Sequence, residues 1–319
     1  MPQEEEIMAI KVSENGRLFT IQTKDSSYQM FADDKNVLLH LYYGEKIGEE
    51  NLSGLIFCTD MGFAGNPEEA GPNRKYSLDA LPQEIPGSGV GDFRDDMIEI
   101  RHADGSFAAD FRFDSYEILD HSYAIPGMPA LYDTEEEKGE TLVITMTEKA
   151  SDIVLKLFYG VFEKENVITR AARLENHGET AIELEKMLSF SMDLMYENYE
   201  MIYFSGRHAM ERTRAIVQHA KVEIGSTRGT SSHHYNPAVI LCEEGAGETH
   251  GFLHRRMPRL QRKLCCGSTE GSEKSDPFSD GYSSDQFLLP SGKRRGVRYP
   301  AGNLKLFRNR PYQTVTAVS

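Results

Sequence analysis

The 319-residue chain contains no tryptophan. It therefore lacks the largest flat side chain for stacking on a ligand. Its four cysteines, Cys58, Cys242, Cys265 and Cys266, suggest no disulfide framework. Cys265 and Cys266 are adjacent, which is not zinc-ligand spacing, so free thiols, no metal and no cofactor are expected. No apolar run approaches the roughly 18 residues of a membrane helix. The acidic start, MPQEEEI, lacks the layout of a secretory signal. These absences point to a cytoplasmic protein with no membrane partner. Positive charge is also scarce: 35 Lys and Arg stand against 50 Asp and Glu, a net charge of −15. That balance disfavours nucleic acid, whose phosphates need basic patches.

The scarcity is uneven. Residues 253–319 carry 13 Lys and Arg against 5 Asp and Glu, which leaves 22 basic and 45 acidic residues before them. So sharp a reversal marks a boundary, and the chain divides into 1–252 and 253–319.

What is present before residue 253 is a succession of short strands. Asn15-Gly16 is a hairpin signal between KVS and LFTIQT. SYQMF and VLLHLYY follow, and residues 45–76 form a long polar loop region. MIEIRH, FAADFRF and YEILDHSYAI precede TLVITMT and IVLKLFYGVF, whose β-branched and aromatic content predicts strands. VITRAARLEN, IELEKMLSFSMDL, EMIYF, AIVQHAKVEI and AVILCE continue the rhythm. No segment shows a long 3.6-residue period. Many closely spaced strands predict an all-β fold, an antiparallel β-sandwich.

Residues 77–94, SLDALPQEIPGSGVGDFR, are the most distinctive stretch. Pro82 and Pro86 bar a helix interior. Gly87, Gly89 and Gly91 permit tight turns. A phosphate-binding glycine loop is excluded, because that needs a strand before it and a helix after it. Asp92 and Arg94 are expected to hold the loop by mutual or backbone hydrogen bonds.

LPQE, a Gly-rich turn and GDFR resemble the N-terminal domain of glycoside hydrolase family 36, the microbial α-galactosidases. RKYSLD (74–79), NVITRAARLEN (166–176), LSFSMDL (188–194), SGRHAMER (205–212) and STRGTSSHHYNP (226–237) resemble it in the same order. The resemblance covers roughly residues 8–252 and implies a large two-sheet super-sandwich. It also implies hydrolysis of terminal α-galactosides with retention, which uses two carboxylates about 5 Å apart. In the family both are aspartates on a barrel C-terminal to the sandwich, so no catalytic residue is assigned here. In tetrameric members, an N-terminal loop carries an Asp and an Arg to a neighbouring subunit's sugar. Asp60 in FCTDMGF and Arg74 in NRKYSLD match those places, and Asp accepts from hydroxyls while Arg donates in a fixed fork. Their alternative is a surface ion pair. His208 aligns with a tryptophan that stacks on sugar in many relatives. The expected partners are an α-galactoside and further copies of the chain in a tetramer. Arg228 and Ser231 to His234 read as an ordered turn; His233-His234 is read as structural rather than metal-binding, since neighbours on a strand point apart.

From Leu253 the family pattern stops. The composition predicts a disordered tail, and no pairing is expected for residues 255–319. Read one nucleotide later, permitted codons for residues 259–266, 293–300 and 303–319 can give VYSGNFA, SGEEFDTP and ILSYSETGLTKLSQQF. These strings resemble the family's continuation, so a frameshift near residues 251–254 is expected. Two other readings stay open: a free-standing carbohydrate-binding or oligomerisation sandwich, and a basic nucleic-acid arm.

Overall fold

A computed structural model describes residues 9–318 apart from 49, 61, 63–65, 126–130, 136, 195–198, 219–221, 226–231 and 247–252; within 253–318 it describes five strands. Every ladder between strands is antiparallel. The all-β expectation holds.

A four-stranded meander comes first: β1 (Ile10–Val12), β2 (Leu18–Gln22), β3 (Ser26–Ala32) and β4 (Leu38–Glu45). Gly16 takes φ +68° in the first turn, as its Asn-Gly pair predicts. A loop with two single 3₁₀ turns, Leu52–Leu55 and Glu68–Ala70, then leads to β5 (Ile98–Arg101). The second sheet is β6 (Phe111–Leu119), β7 (Glu140–Glu148), β8 (Ile153–Phe162) and β9 (Val167–Asn176), paired in chain order. Along β8, Ile153, Leu155, Leu157, Tyr159 and Val161 are buried, the period of two that a packed sheet face requires.

The 13-residue β10 (Ile182–Leu194) pairs with β5. β11 (Tyr199–Arg207) is flanked by β12 (Met210–Val217) and β14 (Tyr235–Glu243). AIVQHAKVEI, read as one strand, is two: its start ends β12, and its end is β13 (Val222–Gly225) in the sheet of β10. Polar Gln218 interrupts the apolar run between them. The strand expected from Phe107 begins at Phe111. From residues 253–319 come β15 (Leu253–Arg256), β16 (Lys263–Cys266), β17 (Asp276–Ser283), β18 (Leu288–Leu289) and β19 (Thr314–Val318). They pair with β14, β13, β10 and β9, where no pairing beyond residue 254 was expected.

One hydrophobic core draws on all four sheets, with Phe19, Ile21, Met30, Ile98, Leu157, Leu174, Phe190 and Val239 inside it. A smaller second core, Val37, Leu39, Ala70, Tyr76, Leu78 and Leu81, lies under the long loop, with Ile56 and Val90 against it. That small core seats the segment carrying the candidate site.

Candidate functional site

The PQE loop is fixed from below. Glu84 is completely buried, and its backbone N–H donates to Leu38 O at 2.9 Å. Its carboxylate accepts from Tyr28 Oη on β3, His40 Nδ1 on β4 (3.1 Å) and Tyr159 Oη on β8 (2.9 Å). Arg170 Nη1 on β9 lies 2.7 Å from Oε2. The guanidinium sits over the rings of Tyr159 and Phe190, 4.8 and 5.2 Å from their centroids. Burial alone would raise the Glu84 pKa, but the Arg170 charge, His40 and the Tyr28 hydroxyl reverse it and hold it at about 2. The same burial raises both tyrosines well above their usual range. An ionised carboxylate inside the protein is tolerated because three hydrogen bonds and the Arg170 charge surround it.

The GDFR turn is fixed from the side. Arg94 grips Asp92 with two donors, Nε to Oδ1 at 2.9 Å and Nη2 to Oδ2 at 2.7 Å. It also donates to Leu78 O and Leu81 O at 2.9 and 2.7 Å, and pairs with Asp193 on β10. The expected mutual bonding of Asp92 and Arg94 is present. Gly89 and Gly91 have φ of +71° and +88°. Gly87 has another reason: a Cβ there would meet the Ala109 carbonyl oxygen at 1.8 Å. Phe93, between two immobilised neighbours, is 79% exposed.

Asp60 and Arg74 are brought together on the surface above the small core. Arg74 Nε lies 3.1 Å from Asp60 Oδ2, and Nη2 donates to Asp60 Oδ1 (3.3 Å) and Gly62 O (3.1 Å). The Gly62 N–H closes back on Asp60 Oδ1 at 2.8 Å. Both side chains remain substantially exposed, so each keeps hydrogen-bonding capacity toward solvent or a ligand.

His208 stands elsewhere, exposed at the turn between β11 and β12. Among the described residues no hydrogen bond or ring contact links it to Asp60 or Arg74. Gly206 N donates to His234 O at 3.1 Å, so the neighbouring turn with His233 and His234 packs beside it. Those two rings stack, 4.7 Å apart and 28° from parallel. They lie in a turn rather than along a strand, which corrects the expectation that they point apart. Arg228 and Ser231 lie outside the described residues. Among the described residues no three His, Cys, Asp or Glu side chains could together hold a metal.

Residues 36–254 match the profile of the glycosyl hydrolase family 36 N-terminal domain. The chain belongs to this family. It is 43% identical over 285 residues to the bifunctional α-galactosidase/sucrose kinase AgaSK of Mediterraneibacter gnavus, covering 89% of this chain and 30% of that protein. It is 35% identical over 250 residues to α-galactosidase Mel36A of Lactobacillus acidophilus, covering 76% and 34%. The crystal structure of the family 36 α-galactosidase AgaB from Geobacillus stearothermophilus superposes with a TM-score of 0.82 at 27% identity, over 98% of this chain and 40% of that one. The chain thus spans about a third of the curated relatives it matches. Motif reading left Glu84, Tyr76 and Asp33 without a role; Glu84 follows Pro-Gln and Tyr76 lies within RKYSLD, while Asp33 lies in none of the quoted motifs.

Proposed function

We propose that this chain is the sugar-reaching front domain of an α-galactosidase, acting on terminal α-D-galactosides such as melibiose and raffinose. It places the exposed Asp60–Arg74 fork at an active site whose catalytic carboxylates lie outside residues 1–252. The observation that carries this is the fork itself: two side chains matched to a sugar's hydroxyls, joined at 3.1 Å on the surface of a family 36 domain. A relative in this family, AgaA of Geobacillus stearothermophilus, has been crystallised with raffinose. His208 would add a hydrogen bond where relatives stack a tryptophan. A homotetramer in the cytoplasm is the setting in which one subunit's fork reaches a neighbour's site.

Two measurements test the reading. The purified chain should release no chromophore from a chromogenic α-galactoside; turnover that persists through further purification overturns the assignment of catalysis elsewhere. Calorimetry with galactose, melibiose and raffinose should show no saturable heat for the chain alone. Saturable heat would favour a free-standing carbohydrate-binding module instead.

For residues 253–319 we propose a reading out of the family's frame. The charge reversal at 253 and the end of the family match at 254 support it. The alignment to AgaSK over 89% of the chain, which must run at least about 30 residues past 254, weighs the other way. Coding DNA in which this basic tail continues in frame among close relatives would overturn it.

A further inference from the structure

We propose that Tyr76, through its hydrogen bond to Asp33, is the positioning residue that holds Arg74 against Asp60 and so sets the direction in which the fork faces a ligand. The ligand in question is that of the reading above, on which this inference rests.

Arg74 and Lys75 are the middle of a tight turn. The turn closes when Tyr76 N donates to Asn73 O at 3.2 Å, and Asn73 Oδ1 accepts from Lys75 N at 3.1 Å. A turn on an exposed loop has little to orient it unless one end is anchored. Here the anchor is the Tyr76 side chain. It is buried in the small core with Leu39, Leu78 and Leu81. Its hydroxyl donates to Asp33 Oδ2 at 2.5 Å.

Asp33 is a firm acceptor. Its Oδ1 takes the Lys35 and Val37 N–H groups at 2.9 and 2.8 Å. Its own N–H donates to Val37 O at 3.0 Å, and Arg17 donates to its carbonyl. The β3–β4 turn is thereby rigid, and Tyr76 transmits that rigidity to the Arg74 turn. Other charges face the ring: the Lys35 ammonium 4.6 Å above it, and Asp34 and Arg112 nearby. Burial and the Asp33 partner both oppose ionisation of the phenol, so it remains a donor at every ordinary pH. Between Asp60 and Arg74 the same loop is tied independently, by Lys149 to Glu69.

The test is side-chain and backbone ¹⁵N relaxation on the intact chain. In wild type, Arg74 Nε–Hε and the Gly62 amide should be ordered, near an order parameter of about 0.85. In Tyr76→Phe both should fall below about 0.6, while amides of β3 keep their values. Asp33→Ser, whose single hydroxyl oxygen can still cap the Lys35 and Val37 N–H groups but leaves no second oxygen for the phenol, should give the same local loss. Should Tyr76→Phe lose order everywhere, Asp33→Ser alone decides. Unchanged Arg74 order in a folded Tyr76→Phe or Asp33→Ser protein overturns the proposal. Neither readout involves sugar, so failure of Asp60 and Arg74 to contact a galactoside would remove the functional reading and leave this result standing.

Discussion

Arg170 and Glu84 form an ion pair at 2.7 Å with both side chains inside the protein, joining β9 to the PQE loop. Such a pair adds little net stability relative to a well-packed apolar core, but breaking it from one side strands a buried charge. Glu84→Gln leaves Arg170 without its counterion and the hydroxyls of Tyr28 and Tyr159 with a weaker acceptor. The variant should lose about 3–5 kcal/mol of unfolding free energy in urea titrations. A loss under about 1 kcal/mol would show that the pair does not hold the PQE loop to β9.

The pH dependence follows from the same group. Glu84 titrates near 4.5 when unperturbed and at about 2 in the folded protein. Because the folded value is the lower one, the stabilisation is fully present above about pH 4.5 and fades as pH falls toward 2. Its size is on the order of 3 kcal/mol. The stability gap between wild type and Glu84→Gln should therefore be constant from pH 7 to 5 and narrow steadily below that. A gap of the same width at pH 2.5 and pH 6 would contradict the assignment.

Much of this fold is legible from strand chemistry. IVLKLFYGVF and IELEKMLSFSMDL are β8 and β10 residue for residue, because β-branched and aromatic runs bounded by turns leave few alternatives. The break in AIVQHAKVEI is harder: its pieces belong to different sheets, and sheet membership is a long-range property that no local pattern carries. Resemblance singled out Asp60 and Arg74, and the two meet on the surface, an outcome shared with the plain surface ion pair that stands as their alternative. The supports were not. Glu84 reads as a charged loop residue, which is normally solvated. Only the tertiary fold brings four partners from β3, β4, β8 and β9 around it. His233 and His234 show the converse error, where a strand rule was applied to what is a turn.

Gly87 and Gly54 make a matched pair for testing how closely the glycine-rich loop packs. A methyl at Gly87 would overlap the Ala109 carbonyl oxygen at 1.8 Å, and the obstacle is backbone that cannot swing aside. A methyl at Gly54 meets nothing within 4 Å. Gly87→Ala should cost several kcal/mol, on the order of 3, by forcing the loop off the 107–109 segment. Gly54→Ala should stay within about 0.5 kcal/mol of wild type. Parallel melting curves of the two variants decide this, and equal midpoints would mean that the loop yields easily.

Asp96 carries the opposite pH sign from Glu84. Burial, reinforced by Glu99, Asp92 and Asp95 and only partly offset by Lys186, raises its pKa from 3.8 to about 6. A raised acid favours the folded state when protonated, so its ionisation costs stability as pH rises through 6. The site is only half-buried, and solvent screening cuts the penalty to about 1 kcal/mol at pH 7. Asp96→Asn removes the charge and should raise the unfolding free energy by about that amount at pH 7. The gain should shrink between pH 6 and 4 and vanish below pH 4, where the carboxyl is neutral in both states. Chemical denaturation of the two proteins at pH 7, 5 and 3.5 reads this directly; a variant less stable than wild type at pH 7 would show that the Asp96 carboxylate is held by partners strong enough to outweigh its burial.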